Sequence, residues 1–375
     1  MSGPLAGLRV VEMAGLGPCP LAGQLLADLG AQVTVIDRKV WKADPTDIHA
    51  RNKRFIALNL KRVDAVDVAL DLIRKADVLI EGYRPGVMEK VGLGPDKCLL
   101  ANPGLIFGRM TGWGQDGPRA QTAGHDINYL AISGALHAIG RDREPPIPPL
   151  NLAADYGGGA MFLLLGVLAA LFERSASGKG QIVDAAMVDG VPAMMGLIHT
   201  FLARGMWNGS RESNLIDGGA PFYRCYETSD GKYIAVGALE PQFFAELIVK
   251  AGLPESHETD RMDPRNWRDR REEYAALFRQ KTRDEWAEIF RDSDACVAPV
   301  LDWSEIEHEP HNAARGIFRR CNGVLQAAPA PRFSRTPANM PSSAAQNSGF
   351  REILDGCGYS SSQIDELLSS GAILG

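Results

Sequence analysis

The sequence predicts an α/β protein: an open, Rossmann-like parallel sheet in a large domain, followed by a smaller α+β domain. Three observations carry this reading. Apolar, strand-like runs alternate with segments of helical period through the first half of the chain. The first strand–helix–strand unit closes by Asp37, which favours a parallel pair joined by a right-handed crossover. Beyond about residue 220 the pattern changes to a hairpin followed by helices.

Leu8–Met13 reads as a buried strand. Leu21–Leu29 has helical spacing and Gly30 suits its C-cap. Gln32–Asp37 reads as the second strand. A strand over Phe55–Leu60, a helix from about Val63 to Lys75, and strands over Asp77–Glu81 and Gly104–Met110 extend the pattern through a large domain, residues 1–185. Within it a helix is expected over Asp126–Ala138. The apolar run Ala160–Phe172 is too short to span a bilayer and reads as a buried helix. A linker, 186–221, follows. Pro221–Glu227 and Lys232–Gly237 flank Ser229-Asp230-Gly231 as a hairpin. Helices over Pro241–Ala251, Arg271–Gln280 and Arg283–Asp292 complete a small domain, residues 222–305; the last opens on a capping box of Thr282 with Glu285. Residues 306–375 are expected to return to the large domain and pack on it. Ala327–Pro341, rich in Pro, Ala and Ser, reads as an extended linker, and Gln363–Leu368 as a short amphipathic helix.

Composition narrows the function. With 375 residues, 45% hydrophobic and 23% charged, the chain suits a soluble globular protein. A net charge of −6 argues against nucleic-acid binding over the whole surface. Cys19, Cys98, Cys225, Cys296, Cys321 and Cys357 form no C-x-x-C, which fits reduced thiols in the cytoplasm and no metal cluster. The start lacks the cationic flank and apolar core of a signal peptide, and Ala-Ile-Leu-Gly375 carries no address tag. Two glycine patterns imitate dinucleotide sites. In Gly15-Leu-Gly17-Pro-Cys-Pro20, Pro20 stands where a third glycine would let helix and strand pack, and both prolines remove amide donors. Gly112-Trp-Gly114-Gln-Asp-Gly117 is followed by Pro118, and no helix clearly opens there. Nicotinamide and flavin are therefore not expected.

Two places carry chemistry. Gly124-His125-Asp126-Ile127-Asn128-Tyr129 stands thirty residues before Asp155, counted from His125, and each residue sits at an expected helix start. Taken alone, His125 reads as a structural histidine and Asp155 as a helix cap. Arg38, Lys39, Lys42, Arg51, Lys53, Arg54, Lys61 and Arg62 form a basic run opposed within it only by Asp44 and Asp47. It reads either as a phosphate site at strand ends or as a solvated face. Tyr129, Met187, Met194, Met195 and Met206 read equally as an apolar surface for a ligand tail or as core.

Several stretches together resemble the class III CoA-transferase superfamily, and within it the α-methylacyl-CoA racemases. They are Leu8–Met13 with Leu26–Arg38, Asn52–Lys61, Asp77–Pro95, Thr111–Pro118, Ser177–Asp184 and Ala295–Val300, which span most of the chain in family order. The resemblance implies that the basic run binds CoA. Arg38 would lie near the adenine and 3′-phosphate, Leu58, Asn59, Leu60 and Lys61 along the nucleotide and pantetheine, and Gly82, Tyr83 and Arg84 around the pyrophosphate. Lys90 stands where relatives carry Arg. It also implies an interlocked homodimer whose active site lies between the large domain of one subunit and the small domain of its partner. No cofactor, metal or membrane span is implied; CoA is part of the acyl-CoA substrate.

In transferases of this superfamily an aspartate matching Asp155 attacks the acyl-CoA carbonyl and forms a mixed anhydride, and an aromatic residue commonly replaces His125. A racemase needs two proton carriers, one on each face of the α-carbon, and an imidazole with a carboxylate suits that task. The resemblance implies that His125 takes the α-proton of the (S)-thioester while protonated Asp155 delivers one to the opposite face, with roles reversed for the (R)-ester. The Asp126 N–H, at a helix start, would hold the enolate oxygen. Glu240 matches a glutamate that orients the histidine; by itself it reads as a carboxylate before the helix at Pro241. The alternatives are an acyl-CoA:carboxylate CoA-transferase with Asp155 as nucleophile, and an inactive CoA-binding scaffold.

Overall fold

The computed structural model describes residues 3–42, 44–338 and 349–375. Six strands lie parallel in one sheet of order β3-β2-β1-β4-β5-β6: β1 (Arg9–Met13), β2 (Gln32–Asp37), β3 (Lys53–Ala57), β4 (Val78–Glu81), β5 (Ile106–Thr111) and β6 (Gln181–Ala186). This is the doubly wound order expected from the β-α-β pattern. The strand order reverses between β1 and β4, so the loops after these two strands diverge and leave a crevice. α1 (Pro18–Asp28) starts three residues earlier than its helical spacing indicates, because Pro18 occupies the first turn, where a missing N–H costs nothing.

α2 (Val63–Arg74) buries Ala65, Val66, Val68, Ala69, Leu72 and Ile73 on the sheet, and short helices α3 (Val87–Lys90) and α4 (Pro95–Ala101) follow β4. α5 (Asp126–Ile132) is shorter than expected. Gly134 turns the chain with φ 84°, and Ala135–Ala138 is a separate 3₁₀ turn, so the Asp126–Ala138 helix is corrected to two pieces. Leu152–Ala160 is a π-helix, with Tyr156 N–H bonding to the Asn151 carbonyl at 3.2 Å, and it runs into α6 (Met161–Ser177). The whole of Leu152–Ser177 is long and apolar enough to cross a membrane by length and composition. Leu163 and Val167 are buried, but the opposite face of α6 is not: Leu165 is 64% and Phe172 83% exposed, which corrects the expectation of a buried helix.

α7 (Met187–Met194) packs on the π-helix through glycines. A Cβ on Gly190 would stand 1.9 Å from the Gly158 carbonyl oxygen. Gly190→Ala should therefore force backbone apart and cost about 1–3 kcal/mol of unfolding free energy, read by denaturant titration.

By Cα proximity one compact unit comprises residues 3–133, 150–194 and 310–375 among those described, and the second comprises 134–149 and 195–309. In the second unit α8 (Gly196–Ala203) precedes the hairpin of β7 (Tyr223–Glu227) and β8 (Tyr233–Gly237), which turns at Gly231 with φ 71°. α9 (Pro241–Ala251), α10 (Ser256–Thr259), α11 (Trp267–Phe278) and α12 (Arg283–Ile289) follow, then β9 (Val297–Pro299), antiparallel to β8. Thr282 and Glu285 form the expected capping box: Thr282 N–H to Glu285 Oε2 is 2.8 Å and Glu285 N–H to Thr282 Oγ1 is 3.2 Å. Phe222, Phe244, Tyr274, Phe278 and Trp286 fill its core.

The chain then re-enters the first unit. After α13 (Pro310–Arg315), β10 (Phe318–Cys321) and β11 (Val324–Ala327) pair as a hairpin that leads into the expected Ala327–Pro341 linker. Of the expected Ala327–Pro341 linker, residues 339–341 lie outside the described residues. α14 (Phe350–Asp355) and α15 (Ser361–Ser369) place Ile353, Leu354 and Ile364 in the core of the first unit, and Leu58 bridges to Ile373.

Candidate active site

The crevice at the strand-order reversal is closed by one hydrogen bond. Tyr83, in the turn after β4, donates its hydroxyl to the Ala14 carbonyl after β1 at 2.8 Å. The turn itself is held from below. Glu81 Oε2 accepts the Tyr83 N–H at 2.7 Å, Glu81 Oε1 accepts from Arg109 Nε at 3.0 Å, and Arg109 Nη1 reaches Glu89 at 2.9 Å. Burial pushes the Glu81 carboxyl up to about 7. Burial likewise pushes the Tyr83 hydroxyl up to about 12, with Asp37 adding to it and Arg38 opposing it. Arg38 directly follows β2 and is exposed, near enough for its charge to act on the Tyr83 hydroxyl.

Because the folded carboxyl of Glu81 titrates above its unfolded value, the stability it contributes is present below pH about 4.5 and is lost as pH rises through 7. Glu81→Gln removes this titration. Its thermal midpoint, relative to the unsubstituted protein, should climb between about pH 5 and 8; a difference that stays flat would mean that the carboxyl is ionised throughout.

A cavity of about 300 Å³ opens from this turn and is lined by Gly82, Tyr83, Arg84, Gly112, Trp113, His125 and Tyr129 among others. The Tyr129 ring lies where a Cβ on Gly112 or Gly124 would stand, 2.0 and 2.8 Å from its atoms, and meets Trp113 edge-on with centroids 4.7 Å apart. Tyr129 is therefore a buried wall of the cavity. His125 is the exposed N-cap of α5, its N–H bound to Asn128 Oδ1 at 3.0 Å.

Asp126, the first residue of α5, is buried and does two things. Its N–H has no hydrogen-bond partner among the described residues, as at the open start of a helix. Its Oδ2 accepts the N–H groups of Ala154 at 2.9 Å and Asp155 at 2.8 Å, and so fixes the π-helix beside His125. Oδ1 is buried without a partner. Asp155 is half-buried, and a Cβ on Gly17 would stand 3.4 Å from its Oδ2. Burial raises the Asp155 carboxyl above its usual range, the Asp126 charge raises it further, and His125 and a hydrogen bond from Asn151 act the other way.

The first unit thus brings together His125, Asp126, Tyr129 and Asp155, with Gly82, Tyr83 and Arg84 on the same cavity. Asn59, Leu60 and Lys61 follow β3 at the same edge of the sheet, while Leu58 turns its side chain fully into the core and has only backbone to offer a ligand. Lys90 ends α3 and is exposed. Glu240 belongs to the second unit, where it is the exposed N-cap of α9; its side chain makes no hydrogen bond among the described residues, so it does not act as a cap. Met187 is core, whereas Met194 and Met206 are exposed.

Sequence reasoning missed two contributions. The Asp126 carboxylate grips residues 28 and 29 positions away, a separation that no motif marks. Tyr156, beside Asp155, meets His49 Nε2 at 3.3 Å, and His49 Nδ1 meets Gln24 Oε1 at 2.8 Å, which tethers the π-helix from its other side.

The basic run is corrected: it is not one surface. Lys53 is buried against Glu12 at 2.7 Å and Arg51 is buried in an ion pair with Asp28. Arg62 pairs with Asp64 at 2.9 Å. Arg38, Lys39 and Lys61 remain exposed at the crevice edge, and Arg54 lies near the other end of β3. Among the described residues no group of three or more His, Cys, Asp or Glu side chains is placed to hold a metal ion.

Residues 5–347 match the family described as CoA-transferase family III. The chain is 45% identical over 369 residues to an alpha-methylacyl-CoA racemase of Mus musculus, covering 97% of this chain and 96% of the relative. It is 42% identical over 373 residues to an alpha-methylacyl-CoA racemase of Homo sapiens, covering 98% and 97%. Among solved structures, a CaiB/BaiF family protein from Brucella suis superposes with a TM-score of 0.79 at 24% identity, over 95% of this chain and 99% of that one, a likeness of fold.

Proposed function

We propose that this chain, which belongs to CoA-transferase family III, is a 2-methylacyl-CoA racemase that interconverts (R)- and (S)-thioesters by two-base 1,1-proton transfer through an enolate. The observation that carries the mechanism is the joining of His125 to Asp155 through Asp126: one residue supplies a backbone link to the imidazole and a two-hydrogen-bond grip on the carboxyl-bearing segment. The raised affinity of Asp155 for its proton suits a carboxyl that must donate in one direction and accept in the other. His125 takes the α-proton of the (S)-ester, and Asp155 that of the (R)-ester. The unpartnered Asp126 N–H holds the enolate oxygen. Arg38, Lys61, Tyr83 and Arg84 hold the CoA moiety, which belongs to the substrate, so no further cofactor is needed.

Two further features complete the reading. The exposed face of α6, with Leu165 and Phe172, and the exposed Ile182 on edge strand β6 suit burial against a second copy of the chain, as an interlocked homodimer requires. In that dimer Glu240 orients the histidine of its partner. Free thiols at Cys19, Cys98, Cys225, Cys296 and Cys357 suit the cytoplasm. The function is tested by chiral analysis of one enantiomer of a 2-methylacyl-CoA incubated with the protein and no acceptor acid. Both enantiomers should appear. Unchanged configuration, with CoA exchange once a carboxylate acceptor is added, would replace the reading with the transferase alternative.

A further inference from the structure

The residue of the basic run that faces away from the crevice lines a second cavity, of about 110 Å³, at the opposite edge of the sheet. Arg9 pairs in register with Gln32, and Thr34 with Arg54. Strand periodicity therefore puts these four side chains on one face. The end of α2, with Lys75, and the segment after α14, with Gly356 and Cys357, cover them. Among the described residues no carboxylate lines this cavity, although the chain as a whole is acidic.

The cations here are poorly matched by protein groups. Lys75 Nζ donates to the carbonyls of Gly356 at 3.2 Å and Cys357 at 2.8 Å. Among the described residues half-buried Arg54 makes one side-chain hydrogen bond, Nη2 to Thr34 Oγ1 at 3.3 Å. The Arg9 guanidinium makes no hydrogen bond or ion pair among the described residues. The nearby acids are committed elsewhere. Asp77 accepts the Arg9 backbone N–H at 2.9 Å and pairs with Arg174 at 2.9 Å, and Asp71 pairs with Arg74. Glu352 on α14 acts on Arg54 through space but forms no ion pair with it. Burial is the main cost of the Arg54 charge, and repulsion from Arg9 adds to it.

We propose that this cavity binds a tetrahedral oxyanion of the phosphate or sulfate class. Two guanidinium forks match the oxygens of such an anion, and the Thr34 hydroxyl and Gln32 amide add neutral donors. The anion would relieve the repulsion between Arg9 and Arg54. The site lies across the sheet from the CoA crevice and does not depend on the racemase reading.

The test uses the full chain, with inorganic phosphate titrated by calorimetry and by thermal midpoint, and sodium chloride at matched ionic strength as control. The unsubstituted protein and Arg38→Ala should both show a saturable response to phosphate. In Arg54→Gln and in Arg9→Gln the affinity should fall about tenfold or more. Arg9 is exposed and its guanidinium has no hydrogen bond or ion pair to lose among the described residues, so its variant reports even if Arg54→Gln folds poorly. Glycerol phosphate competing for the site would extend the ligand to phosphate esters, and its failure to compete would mark the free ion as the ligand. An equal response to chloride would overturn the proposal, as would a response lost in Arg38→Ala but kept in Arg9→Gln.

Discussion

Asp155→Ala should lower racemisation turnover by about 10²–10⁴-fold, and His125→Ala by a similar factor, because each removes one of two proton carriers. Binding of the CoA ester should largely survive in both. The contacts proposed for CoA are at Arg38, Lys61, Tyr83 and Arg84, and neither substitution touches the Tyr83–Ala14 or Glu81–Tyr83 bonds that shape the crevice. The fold should survive too, since His125 is exposed and its capping bond uses backbone N–H. The measurement is initial rates with each enantiomer beside the dissociation constant of a non-reacting CoA ester. Full activity in both variants would exclude the two-base scheme.

Lys53→Ala should cost about 3–5 kcal/mol of stability, the loss expected when one partner of a buried ion pair is removed. Glu12 and Lys53 lie between β1, β3 and α1, 2.7 Å apart, and Lys53 also donates to the Pro20 carbonyl at 2.9 Å. The close seat depends on Gly23, where a Cβ would stand 1.8 Å from Glu12 Oε2. Burial raises the Glu12 carboxyl above its ordinary value even with the lysine beside it. A carboxyl raised in the folded state contributes stability at low pH that is lost as pH rises through its folded value. Without the lysine that loss deepens. The destabilisation should therefore be largest at alkaline pH and shrink on acidification, as Glu12 takes up a proton. Denaturant titrations of the variant and the unsubstituted protein at acid and alkaline pH read this directly; a cost that grows on acidification would contradict it.

The parallel sheet and its crevice are legible because buried strands carry unbroken apolar runs such as Val78–Ile80, and because β-α-β units leave few topologies open. The start of α5 is legible in Gly124-His125-Asp126, but its end is not: Gly134 adopts φ 84°, a choice that local propensity does not dictate. The π-helix has no sequence signature. It rests on contact between Gly158 and Gly190, which are distant in the chain. Side-chain direction defeats the reading of the basic run, since neighbouring strand residues face opposite ways: Lys53 meets Glu12, while Arg54 meets Thr34 on the other face. The β10–β11 hairpin is a different kind of omission. Asn322-Gly323, both at positive φ, is a strong hairpin signal, obscured by the proline-rich segment that follows.

The most direct measurement is the isotopic content of the first product formed from one enantiomer of a 2-methylacyl-CoA in D₂O, without acceptor acid. Two-base transfer across His125 and Asp155 predicts that the inverted product carries α-deuterium from the earliest turnovers, while recovered substrate lags behind it in deuterium. Inverted product without deuterium, or no inversion at all, would contradict the account.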